Sequence, residues 1–358
     1  MNHKNIIITG GAGFVGSSLA LSLKERYEGI SITAVDNLKR RGSELNLSRL
    51  REHGISFIHG DLRTPEDCDA LPEADLLIDC CAEPSVLAGI GGSSEYVINT
   101  NLQSTVNCLE FARKHTCDFL FLSTSRIYPT ELLNRLKYSE TETRFVLEDT
   151  QEIEGASSKG ISEDFPLLPY ARSLYGATKL ASEVLVLEYL DVYGLRGIIN
   201  RCSVIGGPWQ MGKVDQGLAA LWVARHVYGK PLQYIGYGGT GKQVRDILHI
   251  EDLVDLLCLE LENVPRHNGR IYNAGGGLEN SVSLTELTSL CRSTTGNTIE
   301  ITPCVQDRPG DVRCYITDNT AVQKATGWSP SRNIETLVAD IHAWIAANRQ
   351  QLESILLL

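Results

Sequence analysis

Asn5-Ile-Ile-Ile-Thr-Gly-Gly-Ala-Gly-Phe-Val-Gly16 is a short apolar run that breaks into glycines near the start of the chain. The run Ile6–Ile8 predicts a buried β-strand, and residues Ser17–Arg26 show the apolar spacing of a helix. A strand that enters a helix through a glycine turn presents backbone N–H groups at the helix N-terminus, where phosphate binds. The stretch therefore predicts an α/β domain that binds a nucleotide.

Three glycines in this turn are spaced as Gly-x-x-Gly-x-x-Gly, and each has a separate task. Gly10 allows the tight turn, Gly13 lets the backbone approach a pyrophosphate, and Gly16 lets the helix pack closely on the strand. Phe14 and Val15, between the last two glycines, belong to the same predicted cofactor contact. Alone, the motif is also compatible with an ordinary strand-to-helix turn.

Bulk composition narrows the class of protein. A chain of 358 residues predicts one large domain with a smaller lobe. The net charge of −11 argues against nonspecific nucleic-acid binding and against an anionic membrane surface. The ten cysteines are scattered without metal-ligand spacing, and no apolar run approaches 18 residues. We therefore expect a reduced, cytoplasmic protein with no metal site and no leader segment.

Asp36 ends the second predicted strand, 20 residues after Gly16, where a carboxylate accepts both hydroxyls of an adenosine ribose. Asn37 follows it and is a further candidate cofactor contact. A ribose 2′-phosphate would be repelled by Asp36, so the position favours NAD over NADP. The basic run Lys39-Arg-Arg41 comes close behind and keeps NADP open as an alternative.

The next two predicted strands also end in residues suited to a dinucleotide. Asp61 can accept the adenine amino group while Leu62 covers the ring face. Cys81 and Ala82 end the following strand with small side chains, which would let the cofactor backbone pass close by.

Strands alternate with helices, and most of the strands are apolar along their whole length. Later elements are a helix over Val97–Lys114 that carries Asn101, a strand over Phe119–Tyr128 and a strand over Gly194–Ser203. This pattern predicts a Rossmann-type, doubly wound parallel sheet covered on both faces, with a smaller C-terminal substrate lobe.

We expect the NAD-binding domain over 1–205, with 245–275 returning to it. A nucleotide-sugar-binding lobe is expected over 206–244 and 276–345, followed by a C-terminal tail over 346–358.

Residues 129–172 break this regular pattern with a charged, irregular stretch. A loop of this length within a compact domain is either functional or poorly ordered. The sequence leaves two interpretations open, a substrate-side loop that could act as a lid and a disordered surface insert.

Tyr175 and Lys179 lie four residues apart on a predicted helix and so share one face. A free tyrosine hydroxyl has a pKa of about 10, and a nearby ammonium favours the phenolate. A hydroxyl from Thr124 or Ser123, at the end of the fifth strand, could hold a substrate oxygen and relay its proton. Together with the glycine motif and Asp36, the pair predicts NAD-dependent redox chemistry at a hydroxyl-bearing carbon.

With these motifs, the chain resembles the extended short-chain dehydrogenase/reductase family, which contains nucleotide-sugar epimerases and dehydratases. The resemblance implies that Tyr175 is the catalytic base, that Lys179 partners it on the nicotinamide ribose and that Thr124 is the third catalytic residue. It also implies that Asn101 and Ser123 contact the cofactor or the residues that hold it.

Two arginine motifs of that family are present as Arg245-Asp246-Ile-Leu-His249 and Arg308-Pro-Gly-Asp311. In relatives these arginines meet the pyrophosphate of a nucleotide sugar, and a diphosphate does need permanently charged donors. Structural ion pairing is the alternative for both arginines. The complete set of candidate substrate residues is Ser125, Arg126, Arg201, Gln210, Gln216, Arg245 and Arg308.

The residues after Thr124 bear on the type of reaction. Sugar 4,6-dehydratases place Asp-Glu there, whereas this chain has Ser125-Arg126, so the resemblance implies an epimerase. Segments 122–129, 208–217 and 238–246 resemble the CDP-paratose 2-epimerases within the family. Val204, Gly206 and Asp79 depart from the family pattern and leave the sugar and base open.

The resemblance therefore implies a tightly bound NAD and a nucleotide-diphosphate sugar, preferably CDP-linked, that is epimerised at C2. A UDP-hexose 4-epimerase is the alternative within the same class. A non-catalytic NAD-binding sensor is the alternative from another class, and an intact Thr124, Tyr175 and Lys179 argues against it. The family resemblance further implies a homodimer or homotetramer.

Overall fold

The computed structural model describes residues 1–212 and 216–357. Over these residues the strands are β1 (Asn5–Thr9), β2 (Ser31–Asp36), β3 (Ser56–His59), β4 (Leu76–Asp79), β5 (Asp118–Thr124), β6 (Tyr138–Glu140), β7 (Phe145–Leu147), β8 (Ala156–Ser157), β9 (Gly160–Ile161), β10 (Gly197–Cys202), β11 (Val204–Gly206), β12 (Leu232–Ile235), β13 (Val244–His249), β14 (Arg270–Ala274), β15 (Ser281–Ser283), β16 (Ile301–Cys304) and β17 (Cys314–Tyr315).

The α-helices of the same residues are α1 (Phe14–Arg26), α2 (Asn46–Glu52), α3 (Pro65–Asp69), α4 (Ser94–Ile98), α5 (Ser104–His115), α6 (Thr130–Asn134), α7 (Leu174–Tyr193), α8 (Leu218–Val227), α9 (Ile250–Glu262), α10 (Val264–His267), α11 (Leu284–Thr295), α12 (Thr320–Thr326), α13 (Ile334–Ala347) and α14 (Arg349–Leu356). None of these helices is long and apolar enough to cross a membrane.

Seven strands form the main sheet in the order β14-β10-β5-β4-β1-β2-β3. The pairs from β5 through β3 are parallel, and Ile6 of β1 aligns with Ile32 of β2 on one side and Leu76 of β4 on the other. β-branched and leucine side chains bury both faces of the central strands, which a sheet covered by helices requires. The predicted Rossmann-type sheet is thus confirmed.

Two compact units divide the chain differently from the sequence-based boundaries. The first unit comprises 1–124, 174–201 and 253–272, and the second comprises 125–173, 202–252 and 273–358. Of the segment 245–275, the first unit contains Leu253–Tyr272. Residues 245–249 instead lie in β13, which pairs with β11, β15 and β17 in a sheet of the second unit.

Segment 129–172 is irregular over most of its length but contains short regular elements. It forms α6 and two short antiparallel hairpins, β6–β7 and β8–β9. Backbone hydrogen bonds hold these hairpins, with Phe145 N donating to Lys242 O at 3.0 Å and Ile161 N to Ile316 O at 2.8 Å. Their partners lie far away in sequence, so local periodicity could not predict them. The expected C-terminal tail is likewise helical, because Leu352 and Leu356 of α14 are buried.

The single helix predicted over Val97–Lys114 is interrupted. A π-helical turn over Asn99–Gln103 separates α4 from α5. Such a turn widens the helix locally and is frequent at functional sites. Asn101, one of the predicted site residues, lies within it.

Glu260 of α9 is fully buried in the first unit. Asn200 Nδ2 of β10 donates to its Oε2 at 2.7 Å, whereas Oε1 has no hydrogen-bond partner among the described residues. Burial raises the pKa of Glu260 to about 8, with the Asn200 hydrogen bond opposing that shift. The carboxyl group is therefore mostly protonated at neutral pH.

Replacing Glu260 by Gln is expected to stabilise the protein at pH 7 and above. The pKa of Glu260 is higher in the folded protein than in the unfolded chain. The free energy of unfolding of the wild-type protein therefore falls as pH rises from about 4.5 to about 8. A neutral glutamine carries no such cost, and the gain at pH 7 is up to roughly 3 kcal/mol. Urea unfolding of Glu260→Gln at pH 5 and pH 8 measures it, with exposed Glu262→Gln on the same helix as the control. An equal effect at both pH values would contradict the assignment.

Candidate functional site

The glycine turn is held by steric contacts that only glycine permits. Gly10 has φ +58°, and a Cβ at Gly16 would lie 2.3 Å from the Gly10 carbonyl oxygen. A Cβ at Gly13 would lie 3.0 Å from the same oxygen. Helix α1 begins at Phe14 directly after Gly13, so its free N–H groups face the turn. This geometry suits an anionic pyrophosphate.

Asp36 ends β2 beside this turn. Its carboxylate accepts hydrogen bonds from Ala12 N at 3.2 Å and Leu38 N at 2.8 Å. Burial raises the pKa of Asp36, and these backbone donors oppose the rise. The carboxylate therefore ties the glycine turn to the neighbouring strand and remains available as an acceptor for ribose hydroxyls.

A cavity of about 310 Å³ opens beyond Asp36 at the ends of β2 and β3. Its lining consists of Asn37, Lys39, His59, Gly60, Asp61, Arg63 and Asp67. Arg63 Nε donates to Asp61 at 2.8 Å, and this ion pair lowers the pKa of Asp61 to about 2. This cavity is the candidate site for the adenosine end of a dinucleotide.

Two residues predicted to contact adenine, Asp61 and Leu62, have side chains that contact other parts of the protein. Asp61, predicted to accept the adenine amino group, already accepts hydrogen bonds from Arg63 and, at 3.4 Å, from Asn37 Nδ2. Leu62, predicted to cover the ring face, has a side chain that is 4% exposed and packs in the hydrophobic core with Ile7 and Leu77. The role of Leu62 therefore rests on its backbone at most.

Asp79, which the sequence marked only as a departure from the family pattern, organises the strand ends. Its buried carboxylate accepts Thr9 Oγ1 at 2.7 Å and Thr105 Oγ1 at 3.0 Å. Thr9 Oγ1 in turn accepts the N–H groups of Cys80 and Cys81 at 3.1 and 3.2 Å. This network holds the Cys81–Ala82 backbone next to the glycine turn.

Asn101 uses the π-helical turn to reach two elements at once. Its Oδ1 accepts Glu83 N at 2.7 Å, and its Nδ2 donates to Thr178 Oγ1 of α7 at 3.2 Å. Its carbonyl oxygen accepts Ser182 Oγ at 3.2 Å. Asn101 thus positions α7, the helix that carries the predicted catalytic pair.

Helix α7 is docked on β5 by contacts that place Tyr175 and Lys179. Lys179 is 2% exposed and its Nζ lies 4.1 Å from the centroid of the Phe121 ring. Ser123 Oγ of β5 donates to Glu183 Oε1 one turn further along α7. Tyr175, 7% exposed, precedes Lys179 by one turn, and Thr124 is the last residue of β5. All three predicted catalytic residues therefore belong to the first unit and are largely buried.

Arg201 has a different environment from that expected of a substrate ligand. Its guanidinium donates to Glu183 through Nε and Nη2, the latter at 2.8 Å, and both side chains are almost fully buried. The sequence missed Glu183, whose single carboxylate binds both Ser123 and Arg201. This buried ion pair favours a structural role for Arg201 over the predicted contact with the sugar nucleotide.

In the second unit, a small pocket contains Ser125, Arg126, Val204 and Arg245 among its lining residues. Arg126 Nη1 donates to Gly310 O at 3.3 Å, and Arg245 Nη2 forms an ion pair with Asp311. Gly310 and Asp311 belong to the Arg308–Asp311 turn, which Asp311 N closes by donating to Arg308 O. The structure therefore joins the two arginine motifs that the sequence separated by some sixty residues.

The remaining predicted substrate residues lie outside that pocket's lining. Gln210 Nε2 donates to Ile205 O at 2.8 Å, and Arg308 lies at the start of the turn. Gln216 is half-buried. Residues 213–215, part of a segment used for the narrower resemblance, lie outside the described residues.

Comparison with known proteins identifies the family. The sequence model of the NAD dependent epimerase/dehydratase family matches residues 6–275. This chain belongs to that family. The match includes the glycine turn, Asp36, Tyr175 and Lys179, and NAD is the cofactor of the family, so the chain uses NAD.

Three relatives of the epimerase/dehydratase family illustrate the range of similarity. A CDP-paratose 2-epimerase of Salmonella typhi is 32% identical over 96% of this chain and 99% of its own length. A dTDP-glucose 4,6-dehydratase of Actinoplanes sp. is 28% identical, covering 96% and 98%. The solved UDP-glucose 4-epimerase of Thermus thermophilus in complex with NAD has a TM-score of 0.77 at 24% identity, covering 96% and 99%.

The residues of this chain fit NAD. The Gly10–Gly16 cradle has no room for a Cβ at Gly16, and the Asp36 carboxylate is held by two backbone N–H groups. The cavity at Asp61 adds a separate compartment. A fixed carboxylate at Asp36 accepts ribose hydroxyls and repels a 2′-phosphate.

Asp36→Asn is expected to weaken NAD binding about 10-fold to 100-fold, because a charge-assisted hydrogen bond to the ribose is lost. NADP binding should rise relative to NAD, since the repelling charge is gone. Titration of cofactor-free protein with each nucleotide measures both constants. Asp69→Asn, which neutralises an exposed carboxylate paired with Lys114, is the control. An unchanged NAD-to-NADP ratio in Asp36→Asn would show that Asp36 does not read the ribose.

Proposed function

We propose that this enzyme epimerises C2 of a CDP-linked 3,6-dideoxyhexose, converting CDP-paratose to CDP-tyvelose with a resident NAD. The observation that carries the proposal is the 32% identity with a CDP-paratose 2-epimerase over 96% of this chain. That similarity includes both units, so it covers the residues proposed for the cofactor and those proposed for the sugar nucleotide.

The catalytic residues have the chemistry that such a reaction needs. NAD held at the glycine turn and Asp36 would supply reversible hydride transfer, which lets the sugar carbon be oxidised to a ketone and reduced again on its opposite face. Tyr175 as phenolate takes the hydroxyl proton of that carbon and gives it back on return. The buried Lys179 ammonium stabilises the phenolate, and Thr124 donates a hydrogen bond to the sugar oxygen. Proton and hydride both return to the sugar, so no other reactant is consumed.

A diphosphate is the group that we propose for the pocket of the second unit. Arg126 and Arg245 contribute two permanently charged donors to its lining, and Arg308 lies on the turn that both contact. Arginine binds phosphate oxygens in a fixed, bidentate geometry. Val204 lines the same pocket, and we propose that it, Trp209 and Gln210 shape the sugar pose for C2 chemistry.

The residues after Thr124 favour an epimerase over a dehydratase. Elimination of water from C5 and C6 of the sugar needs an acid and a base in addition to Tyr175. The positions that follow Thr124 are Ser125 and Arg126, and the described lining of the pocket contains no carboxylate. Epimerisation needs only a proton acceptor and donor, the role proposed for Tyr175, together with the reversible hydride transfer that bound NAD would supply.

The purified enzyme is expected to invert C2 of CDP-paratose and to leave UDP-glucose and dTDP-glucose unchanged. Incubation with each sugar nucleotide separately, followed by NMR of the sugar, reports inversion at C2, inversion at C4 or loss of water. Turnover of UDP-glucose alone would contradict the C2 proposal and indicate a 4-epimerase. Turnover of dTDP-glucose alone would contradict the C2 proposal and indicate a dehydratase.

Tyr175→Phe is the matched control for this experiment. It removes one hydroxyl while it preserves the ring on α7, so NAD should remain bound. Turnover of CDP-paratose should fall by at least about 100-fold, because the proton acceptor is missing. Unchanged turnover would refute Tyr175 as the base, and a protein without any turnover in its wild-type form would favour an NAD-binding sensor.

We also propose that the enzyme is a homodimer or homotetramer that pairs through α5 and α7. Val184, Val192 and Tyr193 of α7 are 54%, 62% and 51% exposed, which leaves apolar surface on a helix that α5 flanks. Val184→Glu with Val192→Glu should lower the mass measured by sedimentation equilibrium to that of one chain. A wild-type protein of that same mass would contradict the proposal.

A further inference from the structure

Two basic side chains of the first unit, Lys39 and Arg63, meet on the aromatic ring of Tyr96. Lys39 Nζ lies 3.6 Å from the centroid of the Tyr96 ring, and the Arg63 guanidinium carbon lies 5.8 Å from it. Both distances are within the range of a cation–π interaction. Lys39 follows β2, Arg63 follows β3, and Tyr96 belongs to α4, which follows β4.

The strand order shows what this cluster spans. The sheet runs β4-β1-β2-β3, so β1 lies between the strand that leads to Tyr96 and the strand that leads to Lys39. All four strands are parallel, and their carboxyl ends lie on one edge. The Lys39–Tyr96 contact therefore passes across the end of β1, where the Gly10–Gly16 turn begins.

Hydrogen bonds and an ion pair hold Tyr96 and Arg63 in place. Tyr96 N donates to Ser93 Oγ at 3.1 Å, and the Tyr96 hydroxyl donates to Glu83 Oε2 at 3.4 Å. Glu83 N is in turn held by Asn101 Oδ1 at 2.7 Å. On the other side, Arg63 is paired with Asp61 in the cavity at the end of β3. Burial, with Glu83 adding to it, raises the pKa of Tyr96, so the ring is a neutral phenol.

We propose that Lys39, Tyr96 and Arg63 form a clasp across the cofactor groove, and that the Lys39–Tyr96 contact slows the release of NAD. A dinucleotide that runs from the glycine turn to the cavity at Asp61 passes the point that this contact bridges. Departure then requires that Lys39 and Tyr96 separate. The inference rests on NAD binding at the glycine turn and concerns its exchange rate rather than the reaction at the sugar.

Tyr96→Leu is expected to increase the rate of NAD release about fivefold, because a leucine offers no ring face to the ammonium. Lys39→Met should have a similar effect, since it keeps the length of the side chain and removes its charge. Tyr96→Phe keeps the ring and is the matched control, with release close to the wild-type rate. The double variant Tyr96→Leu with Lys39→Met should release NAD no faster than Tyr96→Leu alone, because the leucine has already removed the Lys39–Tyr96 contact.

The rates are measured on protein loaded with NAD, desalted and chased with excess ADP-ribose, with retained NAD assayed over time. Release by Tyr96→Leu at the wild-type rate, equal release by Tyr96→Phe and Tyr96→Leu, or multiplied effects in the double variant would each overturn the clasp. Lys39→Met lies at an exposed position and provides the test if Tyr96→Leu fails to fold. Failure to turn over CDP-paratose would leave these rate ratios unaffected, so the two proposals fail separately.

Discussion

The close approach of Gly16 to the Gly10 carbonyl is the constraint on which the first unit depends. A Cβ at Gly16 would lie 2.3 Å from that oxygen, so α1 can pack on β1 at this distance only with glycine there. Gly11 is equally confined, because its Cβ would lie 2.6 Å from the Ala34 side chain of β2. The turn is therefore set by its own packing and by its contact with Asp36.

Buried charge has a similar organising role for the catalytic helix. Glu183 and Arg201 are almost fully buried, and each would be costly alone, since loss of one partner from such a pair destabilises a protein by about 3–5 kcal/mol. The Glu183 carboxylate of α7 also accepts a hydrogen bond from Ser123 of β5. The carboxylate that pairs with Arg201 therefore also fixes α7 against β5. Tyr175 lies two turns before Glu183 on the same helix, so the ion pair helps to fix its position.

In the second unit, two arginines that are buried or half-buried are paired with one turn of the chain. Arg126 and Arg245 donate to the Gly310 carbonyl and the Asp311 carboxylate, both on the turn that carries Arg308. A diphosphate that binds these arginines would have to replace the Gly310 carbonyl and the Asp311 carboxylate as their hydrogen-bond acceptors. Its net affinity would then reflect the difference between two sets of hydrogen bonds, which favours selectivity for a well-placed diphosphate over anions in general.

The sequence by itself determined the parallel sheet, the glycine turn, Asp36 at the second strand end and the shared face of Tyr175 and Lys179. Each of these follows from spacing over a few residues, where backbone geometry converts sequence directly into position. Tertiary structure decided that residues 125–173 and 245–252 belong to the second unit, that Arg201 pairs with Glu183, and that Leu62 packs in the core. It also decided the π-helical turn at Asn101 and the meeting of Arg245 with Asp311. These features depend on partners tens of residues away, and side-chain spacing along a chain carries no information about which distant group will satisfy a buried charge.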